Sequence, residues 1–223
     1  MTRDLVGYIL RLEVASMKIL ITAFEPFHNE TINPALEILK VLPDQILNQK
    51  IIKLEIPTVR YSSVEKIIHI IEKHHPDVIV SLGQAGGRAD ITFERIGINI
   101  DDYGIEDNAH NMPVDEKIVT DGPDAYFVNL PIKEMVHALR EAGIAASVSN
   151  SAGTFVCNHV TYAIRHYNEV HQTGIRSGFI HVPYLEQQVR DKPMMPAMAL
   201  DTMVHGIELA IETIIKKGND YVS

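Results

Sequence analysis

The chain has 223 residues, 46% hydrophobic and 22% charged, the balance of a folded globular protein, which excludes gross disorder. Twenty Lys and Arg against 29 Asp and Glu leave a formal charge of −9 with no basic run, which argues against nucleic acid as a partner because phosphate neutralisation needs a basic face. One cysteine, Cys157, rules out an internal disulfide and a multi-thiolate zinc site and fits a reducing, cytoplasmic setting; no apolar run approaches the ~18 residues that span a membrane.

Residues 1–16 hold a short apolar patch (Leu5, Val6, Tyr8, Ile9, Leu10) cut off by Arg11 and Glu13, without a cleavage pattern. They are read as an N-terminal extension rather than a signal peptide, with one domain over 17–217 and a tail over 218–223. Lys18 to Phe24 is a nearly continuous apolar run, as in a strand buried on both faces. After the loop Glu25 to Asn33, Pro34 opens a helix to about Leu42 with Asn33 as its cap. Lys50 to Ile56 reads as a strand. Ser62 to His75 reads as a helix, with Val64, Ile67, Ile68 and Ile71 on one face. Asp77 to Leu82 is a buried strand, Gly83 to Asp90 a glycine-rich turn between two strands, and Ile91 to Ile100 one alternating strand. Asp101 to Asn129 is a long acidic loop; its groups Asp101-Asp102 and Glu106-Asp107 lack calcium-loop spacing and read as solvated. Then follow a helix (132–142), a strand (145–149), a helix (155–170), a strand (177–182), a loop (183–196) and a last helix (200–217). This alternation predicts an α/β fold, a three-layer α/β/α sandwich around a mostly parallel sheet.

A lone cysteine is most often a small buried hydrophobe. Cys157, however, follows Ser151-Ala152-Gly153-Thr154, a turn of small residues, and Thr154 is placed to cap a helix beginning at Phe155. The thiol then falls at the third helical position, where the helix dipole lowers its pKa and free N–H groups suit an oxyanion. Two of the 11 histidines bear on it. His159 lies two residues on, about 200° around the helix, and is assigned to surface or packing. His181 ends an apolar strand, where sites of parallel sheets gather. Glu94 shares a strand face with Thr92, Ile96 and Ile98, a costly place for a carboxylate unless it is paired. An imidazolium from His181 would resolve that cost and complete a triad. Gly83 to Arg88 matches neither the P-loop nor the dinucleotide fingerprint. Phe24 and Phe27 bracket a polar loop at the sheet edge.

Six stretches resemble pyroglutamyl-peptidase I, the pyrrolidone-carboxylate peptidase family: MKILITAFEPF at 17–27, INP at 32–34, GQAGGR at 83–88, FERIGINIDD at 93–102, SNSAGTFVCNH at 149–159 and GFIHVPYLEQQ at 178–188. The resemblance implies a phosphorylase/hydrolase-like fold and a cytoplasmic cysteine peptidase, commonly a homotetramer, that releases an N-terminal pyroglutamyl group from peptides without metal or organic cofactor. It implies Cys157 as nucleophile, His181 as base and Glu94 as its orienting carboxylate. Phe24 and Phe27 would hold the lactam ring, with Asn33 and Gln84 near the pocket. One departure stands out: Gly104 occupies the place where the family usually carries an arginine, and Arg88 and Arg95 are the nearest substitutes for that charge. The competing reading is a catalytically impaired α/β homologue that binds a small ligand; it predicts an inert thiol, whereas an activated one reacts with iodoacetamide below pH ~8.

Overall fold

The computed structural model describes residues 16–218. The expected extension and tail therefore lie outside the described residues, apart from Ser16 and Gly218. The strands are β1 (Lys18–Phe24), β2 (Gln45–Ile46), β3 (Gln49–Ile56), β4 (Val78–Gln84), β5 (Ile91–Glu94), β6 (Ile96–Ile98), β7 (Ala125–Phe127), β8 (Ala146–Ser149) and β9 (Arg176–Val182). The helices are α1 (Pro34–Val41), α2 (Arg60–His74), α3 (Ile132–Glu141), α4 (Val156–Val170) and α5 (Leu200–Lys217), with one 3-10 turn at Glu186–Val189. Asn33 caps α1 as expected, its side chain accepting from the Ala35 N–H.

Seven strands form one sheet in the order β2-β3-β1-β4-β9-β5-β8. The pairings β1–β3, β1–β4, β4–β9 and β5–β8 are parallel; β2–β3 and β5–β9 are antiparallel. Helices α1, α3 and α5 cover one face over Ile19, Ile21, Val80, Leu82, Phe93 and Ile180. Helices α2 and α4 cover the other over Leu20, Phe24, Ile79 and Phe179. The two sets alternate along each central strand, so both faces are apolar, and this makes the strands read as unbroken hydrophobic runs. The result is the three-layer α/β/α sandwich. Among the described residues no helix is long and apolar enough to cross a membrane.

The strand expected over 91–100 breaks in two. The Arg95 N–H still bonds the Ser149 carbonyl at 2.9 Å, but from there the chain leaves the sheet and pairs β6 with β7 as a separate hairpin. The hairpin lies on α4, and Gly97 permits the approach. A β-carbon at Gly97 would stand 2.8 Å from the Tyr162 backbone N, an atom that cannot move aside. Gly83 to Asp90 is likewise not a turn between neighbours. β9 lies between β4 and β5, so this segment steps across the end of β9, with Gly87 at φ 86°.

Gly97→Ala is expected to push the β6–β7 hairpin off α4 and to destabilise the protein by about 1–3 kcal/mol. A urea denaturation series against the parent chain measures this.

Candidate active site

The site forms where three elements meet on the α4 face of the sheet. His181 is the register partner of Gly83 across β4–β9 and of Thr92 across β9–β5. Register partners project to the same face. Glu94, two residues beyond Thr92, returns to that face and reaches His181 diagonally. The His181 Nδ1 lies 2.7 Å from Glu94 Oε1. A carboxylate only accepts, so Nδ1 carries the hydrogen and Nε2 is left as the basic nitrogen. Cys157 descends onto the same area from α4. A β-carbon at Gly83 would stand 3.1 Å from Cys157 Sγ and 2.8 Å from the Phe179 ring. The missing side chain of Gly83 is therefore the space into which the thiol fits, one strand from His181.

Helix α4 begins one residue later than expected, which makes Cys157 its second residue. The cap position is Phe155, with no side-chain cap. The Thr154 hydroxyl instead donates to the Asp102 carbonyl at 2.6 Å, tying the turn to the acidic segment. The first helical bond on this turn is from the His159 N–H to the Phe155 carbonyl. The N–H groups of Val156, Cys157 and Asn158 precede it, where a helix has no partner of its own for them.

Glu94 has no exposed surface. Burial alone would raise its pKa, but the hydrogen bond and charge of His181, with the Arg88 bond and Ser149 opposite in register, hold it below the ordinary carboxylate value. Burial pushes His181 below its ordinary value, against the pull of Glu94. Burial and the Glu94 charge push the Cys157 thiol up to about 12, with Arg88 opposing. This runs against the expectation of a thiol lowered by the helix terminus: burial and the Glu94 charge push it the other way.

Phe24 is buried, with its ring centroid 6.2 Å from that of Phe179, which in turn lies 4.8 Å from His181. Phe27 lies 5.9 Å from Phe155, and Phe155 lies 4.6 Å from Tyr103. Two aromatic groups thus form, one beside His181 and one on the Phe27 loop, and Tyr103 and Phe155 belong to the second although sequence reasoning gave them no role. Asn33 spends its side chain on the chain itself, capping α1 and donating to the Glu25 carbonyl at 3.2 Å. Gln84 follows Leu82 on the α1 and α5 face, so its side chain points away from Cys157 and bonds Gln188 at 2.9 Å. Its backbone is what faces the site. The β1–β4 ladder ends at Ala23–Leu82, and the next donor on that side would be Pro26, which has no N–H.

The acidic segment is not a solvated loop. Asp101 and Asp107 are buried. Asp101 meets Arg60 at 3.2 Å and His159 at 2.8 Å. Asp107 accepts from the backbone of Arg60, Ala109 and Asn111. Asn108 bonds Glu25 Oε1 and the Pro26 carbonyl. This segment therefore clamps the Phe24–Phe27 loop to the base of α4, and His159 is a buried anchor. A β-carbon at position 104 would meet nothing within 4 Å, so the place has room for a side chain to start. Arg88 does not take that place: it is spent on Glu94, which it reaches at 2.6 Å.

The two lowered pKa values fix a sign. The folded chain resists protonation of His181 below its ordinary 6.5 and of Glu94 below its ordinary 4.5, while the unfolded chain does not. Their contribution is fully present above pH 6.5 and is lost as pH falls. Urea midpoints measured from neutral pH into this acid range are expected to fall, and to fall less steeply in His181→Gln.

The family model described as pyroglutamyl peptidase matches residues 17–217. The pyrrolidone-carboxylate peptidase of Treponema denticola is 56% identical over 208 residues, covering 92% of this chain and 96% of that protein. That of Finegoldia magna is 53% identical over 204 residues, with the same coverage. The crystal structure of pyroglutamyl peptidase I from Bacillus amyloliquefaciens superimposes with a TM-score of 0.87 at 41% identity, covering 90% of this chain and 98% of that one. Pyrrolidone carboxyl peptidase from Thermococcus litoralis gives 0.87 at 36% identity, covering 90% and 94%. With sequence matched over 17–217 and structure over nine-tenths of its length, this chain belongs to the pyroglutamyl peptidase family.

Proposed function

We propose that this protein releases N-terminal pyroglutamate from peptides as a cysteine peptidase, with residues 17–217 as its catalytic domain. The observation that carries the reading is the wholly buried Glu94 bonded to His181 at 2.7 Å, on the face where Gly83 makes room for the Cys157 sulfur. Cys157 Sγ attacks the pyroglutamyl carbonyl while His181 Nε2 takes the thiol proton. Glu94 stabilises the imidazolium, and the free N–H groups at the start of α4 receive the oxyanion. The C–N bond breaks as His181 returns the proton to the leaving amine. Water then attacks the thioester, giving pyroglutamate and the free thiol.

The lactam ring is compact and neutral, with one donor and one acceptor. Phe24 and Phe27 give it apolar walls, Asn33 holds the loop that carries them, and the Gln84 backbone offers polar complement at the open end of the β1–β4 ladder. An ordinary N-terminus carries an ammonium group that this slot would have to desolvate, and it is rejected on that ground. The reading includes a homotetramer working in the cytoplasm; sedimentation velocity measures the assembly.

Purified protein with a reducing agent is expected to hydrolyse a pyroglutamyl fluorogenic amide and to leave the prolyl and glutaminyl amides intact. Cys157→Ala is expected to lose about 10⁴-fold or more in kcat with the fold retained. Turnover that survives this substitution overturns the nucleophile. No turnover by the folded parent chain selects the ligand-binding homologue instead. Gly83→Ala, which crowds the sulfur and Phe179, is expected to lower kcat/KM by about 100-fold.

A further inference from the structure

Arg88 sits in the segment that crosses the end of β9, six residues before Glu94. Its guanidinium makes three bonds: Nη1 to Thr92 Oγ1 at 2.6 Å, Nη1 to Glu94 Oε1 at 2.6 Å, and Nη2 to the Ser151 carbonyl at 3.1 Å. Ser151 begins the small-residue turn that delivers Cys157. One side chain therefore spans the carboxylate of the site and the approach to its nucleophile. Glu94 Oε1 receives both Arg88 and His181, whereas Oε2 is buried with no hydrogen-bond partner among the described residues. Without Arg88, Oε1 would keep only the His181 contact.

We propose that Arg88 is a positioning residue of this site: its forked guanidinium locks the Glu94 carboxylate in the orientation that His181 needs and supplies the charge that offsets its burial. The proposal rests on the peptidase reading for its kinetic test, but not for its chemical one. A buried carboxylate without a compensating cation takes up a proton or draws one from its neighbour. Arg88 is about one-third exposed and Glu94 not at all, so the pair lies at the boundary where solvent only partly screens it. A planar fork reaches Thr92, Glu94 and Ser151 together; an ammonium group concentrates its charge at one point and gives up part of that geometry. The charge also acts beyond Glu94, because a guanidinium near Cys157 favours its thiolate and one near His181 disfavours its imidazolium.

The test compares Arg88→Gln, which keeps hydrogen-bonding capacity without charge, with Arg88→Lys, which keeps charge without the fork. Thermal melts confirm that each variant is folded. In Arg88→Gln, kcat on the pyroglutamyl amide is expected to fall about tenfold or more with KM little changed. The acid limb of kcat/KM is expected to move up by about half to one pH unit, as is the rising limb of the pH profile for iodoacetamide alkylation of Cys157. Arg88→Lys is expected to hold both profiles at the parent position and to recover only part of kcat. Unchanged kcat and profiles in Arg88→Gln, or equal profile shifts in Gln and Lys, overturn the proposal and leave Arg88 as a tether of its loop. Should the parent protein fail to hydrolyse pyroglutamyl amides, the alkylation profiles still decide: a shift in Gln that Lys abolishes upholds Arg88 while the substrate reading falls.

Discussion

An ionised carboxylate buried without donors costs several kcal/mol, and Glu94 is buried completely. Much of the site's geometry can be understood as the answer to that cost. His181 and Arg88 both donate to Oε1, Ser149 stands opposite in register across β5–β8, and together they keep the carboxyl ionised against desolvation. Each partner comes from a different part of the chain: the end of β9, the crossing segment and β8. The fold has to be complete before the charge is satisfied, which couples the chemistry of the site to the integrity of the sheet.

That coupling depends on one departure from parallel order. In an all-parallel sheet, the last residue of β5 would lie level with the end of β9, and the connection from β4 would run over a helix. Here β5 runs against β9, so Thr92 rather than Glu94 stands opposite His181, and Glu94 approaches diagonally from the side of Phe179. The same reversal makes the β4–β5 connection a short strap across the end of β9. The strap carries Arg88, and its glycines let it turn there. The departure from the sheet after Arg95 then frees the chain to run over α4 and become the segment whose Asp101 holds Arg60 and His159.

The central strands were legible because both faces are apolar, and α5 because its periodicity is uninterrupted from Leu200 to Lys217. Asn33 before Pro34 announced α1 in full. That Cys157, His181 and Glu94 gather on one face was legible for a different reason: each breaks a local rule, a thiol in a helix's first turn, an imidazole ending an apolar strand, a carboxylate on an apolar face. The split at Arg95 was not legible, since Ile96 and Ile98 continue the alternation and only the packing of Gly97 on Tyr162 shows why the strand leaves. Nor was the burial of Asp101 and Asp107. The partners of Asp101, Arg60 and His159, are distant in sequence, as is the Arg60 backbone that Asp107 holds, and an acidic run read alone looks solvated. Arg88 sat in plain view before Thr92 and Glu94, but sequence considered it only as a stand-in for a charge at position 104.

The resting electrostatics narrow the mechanism. Burial pushes the Cys157 thiol up and His181 down, and both directions work against a thiolate–imidazolium pair. On the proposed mechanism, sulfur becomes nucleophilic as its proton moves to Nε2. That transfer is favourable only while the Glu94 charge stands behind the imidazole to receive the positive charge it creates. On that mechanism Glu94 would work in two opposed ways, resisting the thiolate at rest and stabilising the imidazolium formed during attack. On that mechanism substrate binding brings the reacting atoms together before the proton moves.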